Sequence, residues 1–143
     1  MLSQKARYAL RAMIELARHN GQVTAGELAE RADAPRKFLE AILLSLSREG
    51  LVASRRGKFG GYVLGRPAEA ISFAEIIRLV DGPLALTPCV SRTAFRRCED
   101  CRDLATCALR EALLRARDAT AAVLEGYSLA DAAQGAGAEL IES

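Results

Sequence analysis

The spacing of apolar residues changes abruptly at Gly50, and this change constrains the possible fold more than any other feature of the chain. Before Gly50, apolar residues recur at the intervals of three and four that are typical of helices. After it, residues 51–54 and 62–64 are short strand-like runs on either side of a basic, glycine-rich turn. The sequence therefore predicts a helical segment followed by a β-hairpin whose turn carries positive charge.

Three helices are predicted before the hairpin, each with a recognisable start. Ser3 can cap a first helix, which ends near Gly21. Thr24 begins a capping-box pattern and opens a short second helix. Pro35 suits the first position of a third helix, which ends at Gly50. The buried face of this third helix is predicted to contain Phe38, Leu39, Ile42, Leu43 and Leu46.

Residues 1–66 have the outline of a winged helix-turn-helix DNA-binding domain. The third helix can enter the major groove, where we expect Arg36, Lys37 and Glu40 to meet base edges. This segment holds 12 Lys and Arg against 6 Asp and Glu, whereas residues 67–143 hold 8 against 12. The charge difference favours a polyanionic partner for the first half. The hairpin is expected to contact phosphates or the minor groove through Arg55, Arg56, Lys58, Gly60, Gly61 and Tyr62.

The remainder of the chain is predicted to add a connecting segment, a long helix and a tail. Residues 67–105 contain a helix that begins at Ser72 and a loop that carries the cysteines. Residues 106–127 predict a long helix suited to pairing with a second copy, and 128–143 predict a flexible tail. The pairing seam comprises Leu109, Leu113, Ala116, Thr120, Val123 and Tyr127. The predicted fold class is mainly α with a small β-hairpin.

All four cysteines of the chain lie within 19 residues, in the pattern Cys-x8-Cys-x2-Cys-x5-Cys. In a reducing compartment, such clustering favours metal or redox chemistry over structural disulfides. Thiolates are soft ligands, which suits an iron–sulfur cluster or a structural zinc ion. A third alternative is a metal-free thiol switch, in which Cys98 forms a disulfide with Cys101 or Cys107 under oxidation.

Several of these motifs together resemble the Rrf2 family of bacterial transcription regulators. The matching residues are 5–10, 50–52, 56–64, 71–77, 80–83 and the segment from Cys89 through Cys101 to Cys107-Ala108-Leu109-Arg110. The glycine-rich wing combined with downstream cysteines is more specific than either part. The resemblance spans residues 1 to about 125. It implies a homodimer, a palindromic operator in double-stranded DNA, and an iron–sulfur cluster whose state controls DNA affinity.

The resemblance also implies the cluster ligands, which by position are Cys89, Cys101 and Cys107. Some family members take a fourth ligand from a histidine three residues after the last cysteine, where this chain has Arg110. Others use an acidic residue near the N-terminus of the partner subunit, where this chain has Tyr8. Cys98 is a candidate for the fourth ligand. Otherwise the fourth position is open or taken by a small molecule, and the lack of a strong fourth ligand favours a labile [4Fe–4S] cluster over [2Fe–2S].

The sequence offers no support for an enzyme with a small-molecule substrate. It has no recognisable nucleophile–base pair, no phosphate-binding loop and one histidine, His19. The alternative class is a redox or iron–sulfur protein with an incidental helix-turn-helix. Salt-dependent binding to specific duplex DNA would distinguish the two, because only the regulator should show it. No apolar run approaches the roughly 18 residues of a membrane span, and no secretion signal is recognisable. We therefore expect a cytoplasmic protein without a membrane partner.

Overall fold

Three short helices and a hairpin pack around an apolar centre to which later helices also contribute. The computed structural model describes residues 1–19, 21–57 and 60–135. Its helices are α1 (Gln4–Arg18), α2 (Ala25–Ala32), α3 (Arg36–Arg48), α4 (Phe73–Asp81), α5 (Arg110–Glu125) and α6 (Leu129–Ala133). Its strands are β1 (Val52–Arg55) and β2 (Gly61–Leu64), with 3-10 turns at Ala68–Ala70 and Pro88–Val90. The predicted fold class, mainly α with a small hairpin, is confirmed.

The first two helices begin at the capping side chains that the sequence indicates. The Ser3 hydroxyl accepts a hydrogen bond from the backbone N–H of Ala6 at 2.9 Å, and Thr24 caps α2 in the same way. The third helix begins at Arg36, one residue later than expected. Pro35 has an extended backbone and is therefore the residue that precedes α3. Asp33 turns the chain between α2 and α3 with a left-handed backbone, at φ 52°.

The hairpin is attached to the segment that leads into α2. The backbones of Val23 and Tyr62 exchange two hydrogen bonds, with N···O distances of 3.0 and 2.8 Å. The side chain of Gln22 also donates to the carbonyl of Gly60 at 3.0 Å. The strands pair antiparallel in the register Val52–Leu64, Ala53–Val63, Ser54–Tyr62 and Arg55–Gly61. The hairpin is therefore held by backbone bonds to the helix-turn-helix as well as by its own ladder.

One apolar core joins these first elements to α4 and α6. Met13 of α1 and Leu39 of α3 are fully buried in it. Ile71 and Ile76 around α4, and Leu129 of α6, are equally buried in the same cluster. The core that supports the hairpin and α3 therefore extends well beyond residue 66.

Residues 128–135 differ from the flexible tail that the composition predicts. Ser128 forms a capping box with Asp131, with N···O distances of 2.9 and 3.1 Å. The backbone N–H of Leu129 donates to the carbonyl of Ile71 at 2.9 Å, and the Leu129 side chain is fully buried. One large apolar side chain thus anchors an alanine-rich segment. Residues 136–143 of the expected tail lie outside the described residues.

The long helix α5 begins at Arg110, later than the start near residue 106 that the sequence predicts. Its N-terminal boundary is a turn in which Arg110 N–H donates to the carbonyl of Cys107 at 3.3 Å. Within the 16 residues of α5 only Ala121 is buried, while Leu109, just before it, and Val123 are 70% and 68% exposed. Neither α5 nor any other helix in the described ranges is long and apolar enough to cross a membrane.

The anchoring role of α6 predicts a large loss of stability on Leu129→Ala. Removing a fully buried leucine side chain from a packed core costs about 2–5 kcal/mol of unfolding free energy. Leu86→Ala is the matched control, because Leu86 is 73% exposed and its truncation should change stability by less than about 0.5 kcal/mol. Urea unfolding followed by circular dichroism measures both. Equal stability of the two variants would show that α6 does not belong to the cooperative core.

Candidate functional site

The exposed side of α3 carries the charged residues expected to face DNA bases. Arg36 and Lys37 are exposed at the N-terminal end of the helix. The Nε of Arg36 lies 3.1 Å from the Oε1 of Glu40, one turn further along. These side chains are 68% and 44% exposed, so the ion pair is weak in water and each partner can exchange it for another. The opposite side of α3 is anchored in the core by Leu39, Ile42, Leu43 and Leu46.

Phe38 departs from the buried stripe that the sequence predicts, because it is 42% exposed. A position next to Leu39 is rotated from it by about 100° around a helix, which places Phe38 at the margin of the buried face. Its ring packs edge-on against Tyr8 of α1, with ring centroids 5.8 Å apart. Sequence periodicity missed this aromatic surface because it groups every nearby apolar residue with the core.

The tip of the wing, formed by the end of β1 and the turn that follows it, presents exposed cationic side chains. Arg55 and Arg56 are exposed there, whereas Lys58 lies outside the described residues. Gly60 adopts a left-handed backbone with φ 58°, a conformation that suits glycine. Of the wing residues that the sequence predicts, Arg55, Arg56 and Gly60 thus lie at the turn end of the hairpin.

The base of the wing is shaped by close backbone approach. A Cβ on Gly61, where φ is 147°, would lie 3.1 Å from the carbonyl oxygen of Val23. Tyr62 is half-buried and pairs with the same residue through its backbone. Gly61 and Tyr62 therefore position the wing, and direct DNA contact by either remains a prediction.

A second site is the cysteine cavity, a space of about 400 Å³ beside the N-terminal end of α5. All four cysteines line it, although the sequence separates the first from the last by a long irregular loop. Leu104, Leu109 and Leu113 form an apolar part of the wall. Arg110 lines the same cavity. The structure therefore brings together every cysteine that the sequence identifies as a candidate ligand.

Two arginines of α5 hold the cysteine-bearing backbone, and we call this pair the arginine clasp. Arg110 donates to the carbonyl oxygen of Cys89 at 3.3 Å, and Arg117 donates to that of Val90 at 2.9 Å. Arg117 and Arg92 both bond Asp118, and the guanidinium of Arg117 holds the pKa of that carboxyl below its ordinary value. Spacing in the sequence gave no signal for these contacts, because they link loop carbonyls to side chains two helical turns apart.

The thiols of Cys89 and Cys98 interact and differ in their electrostatics. The Thr87 hydroxyl lies 3.2 Å from Cys89 Sγ and, opposed by burial, lowers the pKa of Cys89. Cys98 and Arg110 lower it further. Burial has the largest effect on the Cys98 thiol and raises its pKa, and the neighbouring side chain of Cys89 raises this pKa further. Cys89 therefore loses its proton at a lower pH than Cys98 does.

The cavity suits a sulfur-ligated anionic group in its chemistry, although its thiols do not converge on a single point. Across residues 1–19, 21–57 and 60–135, no three His, Cys, Asp or Glu side chains are placed to hold a metal ion. The buried Nε–H of Arg110 has no hydrogen-bond partner among those residues, which is uncommon for a buried donor. Four soft ligands beside an unpaired cationic donor have the chemistry that an iron–sulfur cluster or a structural zinc ion requires. To bind one metal group together, the four thiols would have to lie closer to one another, which requires a rearrangement of the irregular residues 91–109.

The fold and these surfaces define a winged helix-turn-helix transcription regulator with a cysteine site beside its long helix. A family model for Rrf2, described as an iron-dependent transcriptional regulator, matches residues 2–135. The chain belongs to the Rrf2 family of transcriptional regulators, as its sequence motifs indicate. Its relatives are regulators rather than enzymes.

Individual relatives support this membership over the whole chain. A helix-turn-helix transcriptional regulator of Rhodobacter capsulatus, described as rrf2-like, is 40% identical over 149 residues and covers 99% of each chain. Among solved structures, CymR, the global cysteine regulator of B. subtilis, has a TM-score of 0.77 at 36% identity, covering 94% of this chain and 96% of that one. T. potens IscR has a TM-score of 0.75 at 28% identity, covering 95% and 88%.

The contact between Thr87 and Cys89 predicts a change in thiol reactivity on Thr87→Val. In reduced, metal-free wild-type protein, Cys89 should react with iodoacetamide at lower pH than Cys98, because the thiolate is the nucleophile. Thr87→Val should raise the pKa of Cys89 and move its labelling curve to higher pH. Mass spectrometry of each cysteine across a pH series measures this. Thr106→Val is the control, since Thr106 lines the same cavity without a hydrogen bond to Cys89; identical curves for both variants would contradict the assignment.

Proposed function

We propose that this chain is a homodimeric, operator-specific regulator whose affinity for DNA is controlled by an iron–sulfur cluster in the cysteine cavity. The observation that carries the proposal is that all four cysteines and Arg110, whose Nε–H is buried without a partner, line one cavity at the start of α5. The description of the family as iron-dependent supports the same chemistry. Iron supply, oxygen, nitric oxide and general redox state are the candidate signals.

The proposed DNA interface combines α3 in the major groove with the wing on the backbone. Arg36 and Lys37 suit the acceptor atoms of guanine, and Glu40 can accept from the amino group of cytosine. The Arg36–Glu40 pair supports this role, because a weak, exposed ion pair leaves both groups available at little cost. Arg55, Arg56 and Lys58 would contact phosphates and provide salt-dependent affinity.

The proposed homodimer rests on the open face of α5. A 16-residue helix with one buried side chain, and with exposed Leu109 and Val123 at its two ends, leaves apolar surface for a second copy. A two-fold dimer presents its two α3 helices to half-sites about 34 Å apart, which corresponds to one turn of DNA. The expected operator is therefore palindromic.

The proposed cluster ligands are Cys89, Cys101 and Cys107, with Cys98 as the candidate for a fourth. The lack of another strong ligand favours a labile [4Fe–4S] cluster over [2Fe–2S]. When bound, the cluster would supply reactivity toward oxygen, nitric oxide or electrons that the side chains lack. The chain itself would hold the thiolates, position Cys89 through the arginine clasp, and shield one side of the cavity with Leu104, Leu109 and Leu113.

The arginine clasp supports a route from the cysteines to the DNA-binding surfaces. Because α5 bonds the carbonyls of Cys89 and Val90, a change in the cysteine loop acts on α5 directly. Because α5 is also the proposed dimer helix, its position sets the separation of the two α3 helices. A coupling of about 1–3 kcal/mol would change DNA affinity roughly 5–150-fold.

A metal-free thiol switch is the second candidate, favoured by the interaction between Cys89 and Cys98. Oxidation would join Cys98 to Cys101 or Cys107 and so alter the same loop. The likeness to Staphylococcus aureus CymR, whose structure has been solved in an oxidized form, is compatible with such control. A structural zinc site bound by the four thiolates is the remaining alternative.

The proposed interface predicts distinct effects of base-reading and phosphate-binding residues. On an operator selected from random duplexes, Arg36→Ala should weaken binding by about 1–3 kcal/mol and relax preference at one base pair. Arg55→Ala and Arg56→Ala should weaken binding to all sequences and lower the salt slope by about one each. Fluorescence anisotropy at several salt concentrations measures both effects. Arg115→Ala is the control on α5; if it behaves like Arg36→Ala, the interface lies elsewhere.

The proposed cofactor predicts a brown protein after purification without oxygen. Iron, acid-labile sulfide and visible absorption should be present in the wild type and lost in Cys107→Ser, together with a change in operator affinity. Cys98→Ser should retain part of the cluster if Cys98 is only the fourth ligand. One zinc per chain with no sulfide would instead establish the structural zinc site. A metal-free protein that resists reconstitution with iron and sulfide would refute the cluster and favour the thiol switch.

A further inference from the structure

Arg110 holds an unusual position at the junction of the cysteine cavity and α5. It is the first residue of α5 and lies three positions after Cys107. One terminal nitrogen of its guanidinium donates to the carbonyl of Cys89 at 3.3 Å. Its Nε–H is buried and finds no acceptor in the part of the chain that the structure describes. The side chain is thus fixed at one end and carries an unused donor beside four thiols.

A buried cationic donor without an acceptor is unfavourable, because it has lost its hydrogen bonds to water and has formed none in their place. An arginine has five N–H donors and no lone pair for a metal, so Arg110 cannot replace a ligating histidine. It can donate a charge-assisted hydrogen bond to an anion in the cavity. Bridging sulfides and thiolate sulfurs of an iron–sulfur cluster are acceptors of this kind.

We propose that Arg110 donates its Nε–H to a sulfur atom of the cluster held in the cysteine cavity. This inference rests on the proposed function and adds a residue that tunes the cluster without binding iron. A cationic donor at the sulfurs stabilises the more negative, reduced form, so it raises the reduction potential. It also lowers the cost of holding the anion, so it slows loss of the cluster.

The second residue of the arginine clasp provides a control for the structural part of this role. Arg117 donates to the adjacent carbonyl of Val90 at 2.9 Å, but it does not line the cysteine cavity. Arg117→Gln therefore removes a bond to the same loop and leaves the cluster-facing donor in place. Arg110→Gln removes both the loop bond and the cationic donor. Arg110→Lys keeps the charge and loses the Nε–H geometry.

The experiment uses full-length wild type, R110Q, R110K and R117Q, reconstituted without oxygen with ferrous iron and sulfide. We measure the midpoint potential of the cluster and the rate at which a ferrous chelator bleaches its absorption. R110Q should have a more negative potential and lose its cluster roughly tenfold faster, as removal of an outer hydrogen bond to a metal site does. R110K should lie between R110Q and wild type. R117Q loses a bond to the loop but keeps the donor of Arg110, so it should shift the potential less than R110Q does.

The possible outcomes distinguish failure of this inference from failure of the proposed function. Wild type that takes up no iron and sulfide refutes the proposed function, and the role of Arg110 falls with it. A wild-type cluster with the same potential and bleaching rate in R110Q overturns the role of Arg110 alone. Equal shifts in R110Q and R117Q also overturn it, because the clasp would then act only on the loop backbone. If R110Q does not fold by circular dichroism, a wild-type potential in folded R110K decides against the inference.

Discussion

A single continuous apolar core determines where each functional element of this chain can lie. Leu39 and Leu43 turn one side of α3 inward, so the charged side must face solvent. Leu129 closes the same core from the far end of the chain, and only residues 126–128 separate it from α5. The C-terminal end of α5 is therefore tied to the DNA-binding unit, while its N-terminal end is tied to the cysteines by the arginine clasp. This double attachment is the physical link between the two candidate sites.

The parts of the fold that depend on local chemistry could be predicted from the sequence. Ser3 and Thr24 cap their helices because their side chains reach amides three residues away, and such short-range bonds leave a readable pattern. The anchoring of α6 could not be predicted, because it depends on one leucine meeting a core built from distant residues. The exposure of Phe38 was missed for a related reason. Its packing partner, Tyr8, lies on another helix, and periodicity within α3 contains no information about that contact.

The same distinction between local pattern and long-range contact applies to the cysteine site. The four cysteines are clustered in the sequence, and this clustering indicated that they share one environment, as the cavity shows. Residues that are close along the chain cannot lie far apart in the fold. The groups that control that environment act across the fold: Thr87 on the sulfur of Cys89, and Arg110 on its carbonyl. Ligand type can be predicted from residue identity and spacing, whereas thiol acidity depends on tertiary neighbours. The grouping of the cysteines could thus be predicted from the sequence, whereas the acidity of their thiols could not.

The backbone bridge between Val23 and Tyr62 has a consequence for how the duplex is recognised. It joins the base of the wing to the start of α2, so the wing and α3 cannot easily change their separation. In the proposed complex, α3 and the wing would contact the duplex at two points a fixed distance apart, so binding would depend on groove width. Duplexes whose intrinsic geometry already matches that distance need less bending, and stiff duplexes with other dimensions need more. Base pairs that no side chain touches can then contribute to operator choice through the mechanical properties of the DNA.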